Sequence, residues 1–468
     1  MKATQLYTQC LAEAAYYIES DGEAVIIDPL RETKPYLDLA QKDGAKIKYI
    51  LETHFHADFV SGHIDLAKKS GATIVFGPNA APSYEAYTAK DGEILNVGKL
   101  KIKVLHTPGH TMESTTYLLL DENGKEHSIY TGDTLFIGDV GRPDLAVKSD
   151  LSQEDLASHL FDSLRDKIMT LPEEVIVYPG HGAGSACGKN MSDETFDTLK
   201  NQKETNYALR ADMSREEFIK EVTDGLVAPP QYFPKNVALN KEGYESFDQV
   251  MNRGLHAYDV DSFEEKINEG ILLIDTRHQD EFIKGFIPGS IFVGIDGSFA
   301  TWVGTLITDL TQPILFIAEE GREEEIVKRF SRVGYDNTIG YLDGGFASWE
   351  KSGKEIDTLE QVNAEEFDKI YNEDSINLLD VRKQSEYESG HILNSKNLPL
   401  DFIFNNFVEV DKYKKYFVHC AGGYRSVIAS SILKNKGVNH LVDIAGGFKS
   451  LSETDLPKTE YWCPSTML

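Results

Sequence analysis

Thr53-His54-Phe55-His56-Ala57-Asp58-Phe59 closes an apolar run, Ile47 to Leu51, that reads as a buried strand. Two imidazoles and a carboxylate grouped just past a strand end form a metal-site layout. Such nitrogen and oxygen donors suit zinc or non-haem iron, and side chains at strand ends converge on one ion without leaving buried backbone groups unpaired. Two more strand ends supply donors. Thr107-Pro108-Gly109-His110 follows the strand-like Lys101 to Leu105, and Thr131-Gly132-Asp133 follows Ser128 to Tyr130.

In order and spacing, HxHxD, the PGH turn, the TGD turn and then Tyr178-Pro179-Gly180-His181 resemble the metallo-β-lactamase fold. The resemblance implies a layered αββα sandwich. It also implies a first metal site drawn from His54, His56, His110 and Asp133, and a second from Asp58, the histidine after it, and His181. Position 59 is Phe, so the second site lacks a ligand and a bulky apolar ring stands there. A dinuclear hydrolase needs two ions to generate and orient a bridging hydroxide, which argues against β-lactam or thioester hydrolysis. Two histidines and one carboxylate with open positions are the facial arrangement of non-haem Fe(II) oxygenases. Resemblance to the persulfide dioxygenase branch of the fold assigns His54, His110 and Asp133 to one Fe(II) per chain. His56 is then a fourth ligand or a hydrogen-bonding group that orients the others, while Asp58 and His181 lie in the emptied second site.

Around this centre, Gly141-Arg142-Pro143-Asp144 resembles the family's GRxD loop. Arg142 is a cation for a substrate carboxylate or a partner for Asp144. Tyr178 either points its hydroxyl toward substrate or is a core tyrosine. Cys187 lies on the Gly-rich stretch His181 to Gly188, near the metal pocket, where persulfide handling or oxidation is open to it. His106, at a strand end, reads as a satisfied, partly buried histidine, and His63 as the start of a helix. His127, His159 and His256 carry no function. Cys10 and Cys463 read as packing anchors.

Beyond about residue 235 an internal repeat appears. Leu272-Leu273-Ile274-Asp275-Thr276-Arg277, with Glu281-Phe282 and Gly285, recurs in register as Asn377-Leu378-Leu379-Asp380-Val381-Arg382, with Glu386-Tyr387 and Gly390. Each copy later reaches Gly-Gly-Phe, at Gly344-Gly345-Phe346 and Gly446-Gly447-Phe448. A repeat of about a hundred residues is a domain rather than a solenoid unit. The shared motifs resemble rhodanese domains, with strands alternating with helices over a parallel sheet. In the second copy the strand Tyr416 to His419 runs into Cys420-Ala421-Gly422-Gly423-Tyr424-Arg425 and a helical segment, Ser426 to Lys436. By resemblance this is a sulfur-transfer loop. A Gly-rich turn entering a helix N-terminus, together with the Arg425 guanidinium, favours negative charge at its centre and holds a thiolate or persulfide on Cys420 ready for attack. The first copy reads Phe316-Ile317-Ala318-Glu319-Glu320-Gly321-Arg322 there, and no cysteine lies between Cys187 and Cys420. Sulfur transfer by that copy is excluded, which leaves a spacer or docking role. Asp275/Arg277 and Asp380/Arg382 are expected to be structural ion pairs.

With 468 residues and 41% hydrophobic content, the chain suits about three domains. The expected division is a metal domain over 1–235, ending in the Pro-rich Ala228 to Pro234, a cysteine-less rhodanese-like domain over 250–355 and an active one over 358–458. Four cysteines are too few for a disulfide framework. No apolar run approaches a membrane span and the start carries no signal-like segment, so a soluble cytoplasmic protein is expected. A net charge of −29 without a basic run disfavours nucleic acid and anionic membranes. The parts together resemble persulfide dioxygenase–rhodanese fusions. That implies a low-molecular-weight thiol persulfide (of glutathione, coenzyme A or bacillithiol) oxidised by O2 to sulfite and thiol, with Cys420 passing sulfur to sulfite to give thiosulfate in sulfide detoxification. A homo-oligomer is compatible with the family. The rivals are a zinc thioester hydrolase of the glyoxalase II kind and a non-enzymatic sulfur carrier.

Overall fold

A computed structural model describes residues 1–147, 151–226, 228–371, 376–406 and 410–460. It divides into two compact units, Met1–Gln249 with Phe330–Asp336, and Val250–Arg329 with Asn337–Leu468.

The first unit is built on two six-stranded sheets. One runs in chain order through Lys2–Thr8, Glu13–Ser20, Glu23–Ile27, Lys46–Glu52, Thr73–Phe76 and Tyr87–Thr88. The other reverses chain order, from Asp197–Thr198 through Ile176–Pro179, Glu126–Gly132, Thr115–Leu120 and Leu100–His106 to Ile94–Val97. Period-two alternation explains how they stack. Along Glu13–Ser20, Ala14, Tyr16 and Ile18 join the core that also takes in Ile102, Val104 and Tyr117 of the second sheet. Ala15 and Tyr17 face the opposite way, onto Tyr36 and Ala40 of the helix Lys34–Asp43 and Leu66 of the helix His63–Ser70. The outer face of the second sheet carries Leu118, Ile129 and Val177 against Leu156-neighbouring Ala157 and Leu160 of the helix Gln153–Asp162 and Phe218 of the helix Arg215–Thr223. The order is helix, sheet, sheet, helix. The Pro-rich stretch leads directly into the helix Phe233–Glu242, whose Pro234 sits in the first turn, where no backbone N–H is needed.

The second unit holds two five-stranded parallel sheets of one topology. Ala257–Tyr258, Thr338–Leu342, Ile314–Ile317, Leu272–Asp275 and Ile291–Phe292 lie side by side in that order. So do Glu360–Val362, Leu441–Ile444, Tyr416–His419, Asn377–Asp380 and Lys396–Asn397. The repeated motif explains the shared frame. Arg277 pairs with Asp275 at 2.6 Å, donates to the Gly285 carbonyl at 2.8 Å and lies 4.1 Å over the Phe346 ring. Arg382 repeats this with Asp380 at 2.6 Å, Gly390 at 2.7 Å and Phe448 at 3.8 Å. In each copy one guanidinium ties the first motif to the Gly-Gly-Phe turn. Both Asp-x-Arg pairs are the structural ion pairs the sequence predicts.

Candidate metal centre and sulfur-transfer loop

Strand direction brings the metal donors together. Leu100–His106 and Glu126–Gly132 are each antiparallel to Thr115–Leu120 and therefore parallel to one another, and Ile176–Pro179 is parallel to Glu126–Gly132. Their carboxyl ends share one rim. Thr53, closing the strand Lys46–Glu52, is joined to that rim where the Thr115 N–H donates to the Thr53 carbonyl at 2.9 Å.

His54, His110 and Asp133, all buried, offer ligand atoms within 4.8 Å of one another. Their hydrogen bonds fix which nitrogen faces inward. The Thr53 hydroxyl donates to Asp28 at 2.8 Å, so at 2.9 Å from His54 Nδ1 its oxygen accepts, and the proton sits on Nδ1. His110 Nδ1 lies 2.9 Å from the Arg142 carbonyl, which can only accept. Both Nε2 lone pairs are therefore left facing Asp133 Oδ2, at 3.9 and 3.5 Å. Burial, with His56, His110 and His181 nearby, holds the His54 pKa well below its usual value, so its imidazole is neutral. Both Asp133 carboxylate oxygens are buried without a hydrogen-bond partner. Two lone pairs converging on an unpaired buried carboxylate repel one another unless a cation lies between them. The donor set fits a metal ion. Gly141 makes room for this arrangement, because a Cβ there would lie 1.9 Å from the Asp133 carbonyl oxygen and 3.0 Å from His110 Nδ1.

His56 Nε2 lies 3.1 Å from Asp28 and 3.7 Å from Glu52, while its Nδ1 is buried without a partner. Phe59 occupies a fully buried position with its ring 4.3 Å from that of His56. The second donor set nevertheless persists. His56, Asp58 and His181 fall within 4.8 Å of one another, as do Asp133, His181 and Cys187. With Phe at position 59, Asp58 and His181 remain of the second set, and His56, which the resemblance assigns to the first, lies within reach of both. Burial opposes protonation of His181, but Asp58 and Asp133 outweigh it and raise its pKa. Burial, then Asp58 and Asp133, push the Cys187 thiol well up.

The remaining candidates fall into place around the rim. Arg142 is buried and grips Asp144 through two nitrogens at 2.6 and 2.7 Å, and its N–H donates to the Cys187 carbonyl at 3.0 Å. Its backbone orients His110 while its side chain holds the loop. Tyr178 stacks on Tyr130 at 5.3 Å, with Tyr16 at 5.5 Å and Phe196 at 5.7 Å. His106 reaches the Met112 carbonyl at 2.9 Å, and His63 opens its helix with Nε2 2.7 Å from the Tyr84 hydroxyl. Cys10 is exposed and 3.4 Å from an Arg332 nitrogen, so it anchors no packing. Cys463 lies outside the described residues. Asp28 and Thr53, the pair that sets the His54 tautomer, carry no motif of their own. The signal available was a lone carboxylate after Val25-Ile26-Ile27.

In the second unit, Cys420 leaves the strand Tyr416–His419 buried, and the Gly423 N–H donates to its sulfur at 3.1 Å. Arg425 forms two bonds to Glu386 at 2.6 and 2.8 Å. Burial raises the Glu386 carboxyl, and the guanidinium outweighs it, leaving the pKa below its usual value. Arg425 braces the loop through Glu386, and the backbone amide supplies the contact to sulfur. In the first copy Arg322 is drawn to Asp296 at 2.8 Å, with Glu325 at 2.9 Å.

Residues 9–181 match the metallo-beta-lactamase superfamily, and 259–352 and 363–454 each match a rhodanese-like domain. The chain belongs to the metallo-β-lactamase superfamily and carries two rhodanese-like domains after its metallo-β-lactamase domain. A metallo-beta-lactamase of known structure from Staphylococcus aureus is 31% identical, covers 73% of this chain and 98% of its own, and superposes with a TM-score of 0.64. Human mitochondrial persulfide dioxygenase ETHE1 is 30% identical over 47% of this chain and 78% of its own length. A probable hydroxyacylglutathione hydrolase, glo2 of Schizosaccharomyces pombe, is 33% identical over 36% of this chain. This chain spans 62% of that relative's length. Among the described residues no helix is long and apolar enough to cross a membrane.

Proposed function

We propose that the first unit oxidises a low-molecular-weight thiol persulfide with O2 at one ferrous ion held by His54, His110 and Asp133, and that Cys420 carries sulfane sulfur to the sulfite formed. The observation that carries this is the converging pair of Nε2 lone pairs and the unpaired Asp133 carboxylate, on one chain with a cysteine-bearing sulfur-transfer loop. The likeness to a persulfide dioxygenase supports the substrate class. The overall change balances as RSSH + O2 + H2O giving RSH and sulfurous acid. A ferrous ion bound by two histidines and one carboxylate supplies open positions for persulfide and oxygen.

The chain's own residues orient and shield. Thr53 and the Arg142 carbonyl hold both imidazoles in the ligand tautomer, and His56 offers Nδ1 as a fourth donor or fills the space beside the triad. Phe59 and Phe136, both fully buried near His181, keep that side of the pocket apolar. Arg142 fixes the Gly141 to Asp144 loop, while Tyr178 packs with Tyr16, Tyr130 and Phe196. At Cys420 the thiolate attacks the outer sulfur of a second thiol persulfide, whose thiolate leaves with the S–S electron pair, and sulfite then attacks the transferred sulfur, forming the S–S bond of thiosulfate as the Cys420 thiolate leaves with its electron pair.

A second reading has its own support. The His56, Asp58 and His181 trio could complete a dinuclear zinc centre, and hydroxyacylglutathione hydrolases are among the relatives. Metal counting and oxygen uptake separate the two. One iron per chain, with persulfide-dependent oxygen consumption that zinc does not support, is expected. Two zinc ions per chain and thioester cleavage would overturn the proposal. Thr53→Val is expected to weaken metal binding by about 10–100-fold, as loss of a ligand-orienting partner does.

A further inference from the structure

Tyr424 leaves its own domain. It follows Gly423, the residue whose N–H contacts the Cys420 sulfur, and opens the helix Tyr424–Asn435. Its hydroxyl donates to the Gly294 carbonyl of the cysteine-less copy at 2.6 Å, and its ring meets Phe292 edge-on at 5.7 Å. Gly297 lies beneath that ring, where a Cβ would come within 2.3–2.7 Å of three ring carbons. Burial raises the phenol's pKa, so the hydroxyl stays a donor. Further along the same helix, Ser431 accepts from the Phe292 N–H at 3.0 Å, Asn435 donates to the Gly289 carbonyl at 2.8 Å, and Lys434 pairs with Asp357 at 2.7 Å.

The seat for Tyr424 is held by the loop that lost its cysteine. Arg322, at the position of that degenerate loop, fastens Asp296 through two bonds of 2.8 Å, and Arg329 donates to the Ile295 carbonyl at 2.6 Å. Asp296 and Ile295 lie inside the segment Gly294 to Gly297 that receives the ring. The acidic turn and its arginines thus shape a shelf for a side chain that adjoins the sulfur's amide donor.

We infer that the cysteine-less copy is the positioning half of the sulfur-transfer site, and that Tyr424 is a positioning residue whose bond to Gly294 sets the Gly423 amide against the Cys420 sulfur. This rests on Cys420 being the sulfur carrier. A hydroxyl lost from a buried pair changes rates by up to about tenfold, and a loop amide moved off its sulfur slows reaction there without removing a substrate contact.

The test uses the full chain with thiosulfate and cyanide. The Cys420 thiolate takes the outer sulfur as sulfite leaves with the S–S electron pair, and cyanide then removes that sulfur as thiocyanate and restores the thiolate. Tyr424→Phe, and independently Gly297→Ala on the opposite copy, are expected to lower kcat about tenfold with KM for thiosulfate unchanged. Alkylation of Cys420, followed by mass spectrometry of its own peptide, is expected to slow by a similar factor, with oxygen uptake as in the unaltered chain and thermal melting lowered only by the lost bond or the displaced ring. Wild-type kcat and alkylation in Tyr424→Phe, with Cys420→Ser inactive, overturn this inference alone. Thiocyanate formation that survives Cys420→Ser removes the carrier reading and this inference with it.

Discussion

The two rhodanese-like copies share strand order, the buried Asp-Arg pair and its contacts to a glycine carbonyl and a phenylalanine ring, yet they differ at the one turn where chemistry would occur. Cys420 stands where the first copy has Ala318, since His419 and Ile317 each pair with the motif aspartate of their own sheet. Around the first position lie Glu319 and Glu320 instead of Ala421 and Gly422. The frame is kept by interactions inside the sheet and beneath the Gly-Gly-Phe turn. The loop residues differ while their backbone anchoring to the Gly-Gly-Phe turn remains in the second copy, where the Phe448 and Lys449 N–H groups donate to the Cys420 and Ala421 carbonyls.

The sharpest way to break this contrast is Cys420→Ser. It is expected to reduce thiosulfate formation by on the order of a thousandfold or more, while persulfide-dependent oxygen uptake and sulfite release continue. Substantial thiosulfate from that variant would mean the first copy, or the metal unit, transfers sulfur. Next in size, Asp380→Ala and Asp275→Ala each strand a buried guanidinium and are expected to cost about 3–5 kcal/mol of domain stability, read by denaturant unfolding. Unequal losses would show that the shared frame is not shared energetically.

A pH effect should separate the copies at the neighbouring strand. Burial raises the Asp443 carboxyl to about 6, against hydrogen bonds from Ser426 and Gln361 that lower it, whereas Tyr341 occupies the matching place in the first copy. A raised folded-state value means the folded chain binds the proton more tightly, so stability falls as pH rises from near 4 to near 6. The expected loss is about 2–3 kcal/mol at about 1.4 kcal/mol per pKa unit. Asp443→Asn is expected to flatten that slope in pH-dependent melting, and an unchanged slope would assign it elsewhere. The smallest expected effect is from Ala318→Cys placed in a Cys420→Ser background, which puts a thiol at the matching strand end of the first copy while the second has none. It should form no measurable thiocyanate, because an acidic turn repels anionic sulfur donors, and detectable turnover would show that the cysteine alone defines the difference.

Much of this was legible along the chain. Candidate donors at successive strand ends were visible in the motifs, the resemblance singled out His54, His110 and Asp133 among them, and the repeated Asp-x-Arg and Gly-Gly-Phe marked two copies of one module, because strand ends and tight turns impose short-range rules. Less legible was what surrounds those residues. Phe59 marked a second pocket short of one donor, but that His56 of the first set would lie within reach of Asp58 and His181 was not visible in the motif, because it depends on how the rim folds. Arg425 is legible in the sequence as a cation near the sulfur, and Cys420 is among the groups that raise its pKa, but its direct partner Glu386, distant in sequence, is not legible there.

By itself, the sequence determined the classes of domain, the candidate metal donors and the one cysteine-bearing loop of the repeat, since these depend on residue types a few positions apart. Only the tertiary structure decided which nitrogen of each histidine faces inward and where Tyr424 is seated. Thr53 meets Asp28 across neighbouring strands, and Tyr424 meets Gly294 across two copies of a repeat. Such partners are chosen by packing and by the need to pair every buried polar group, and no local pattern encodes them.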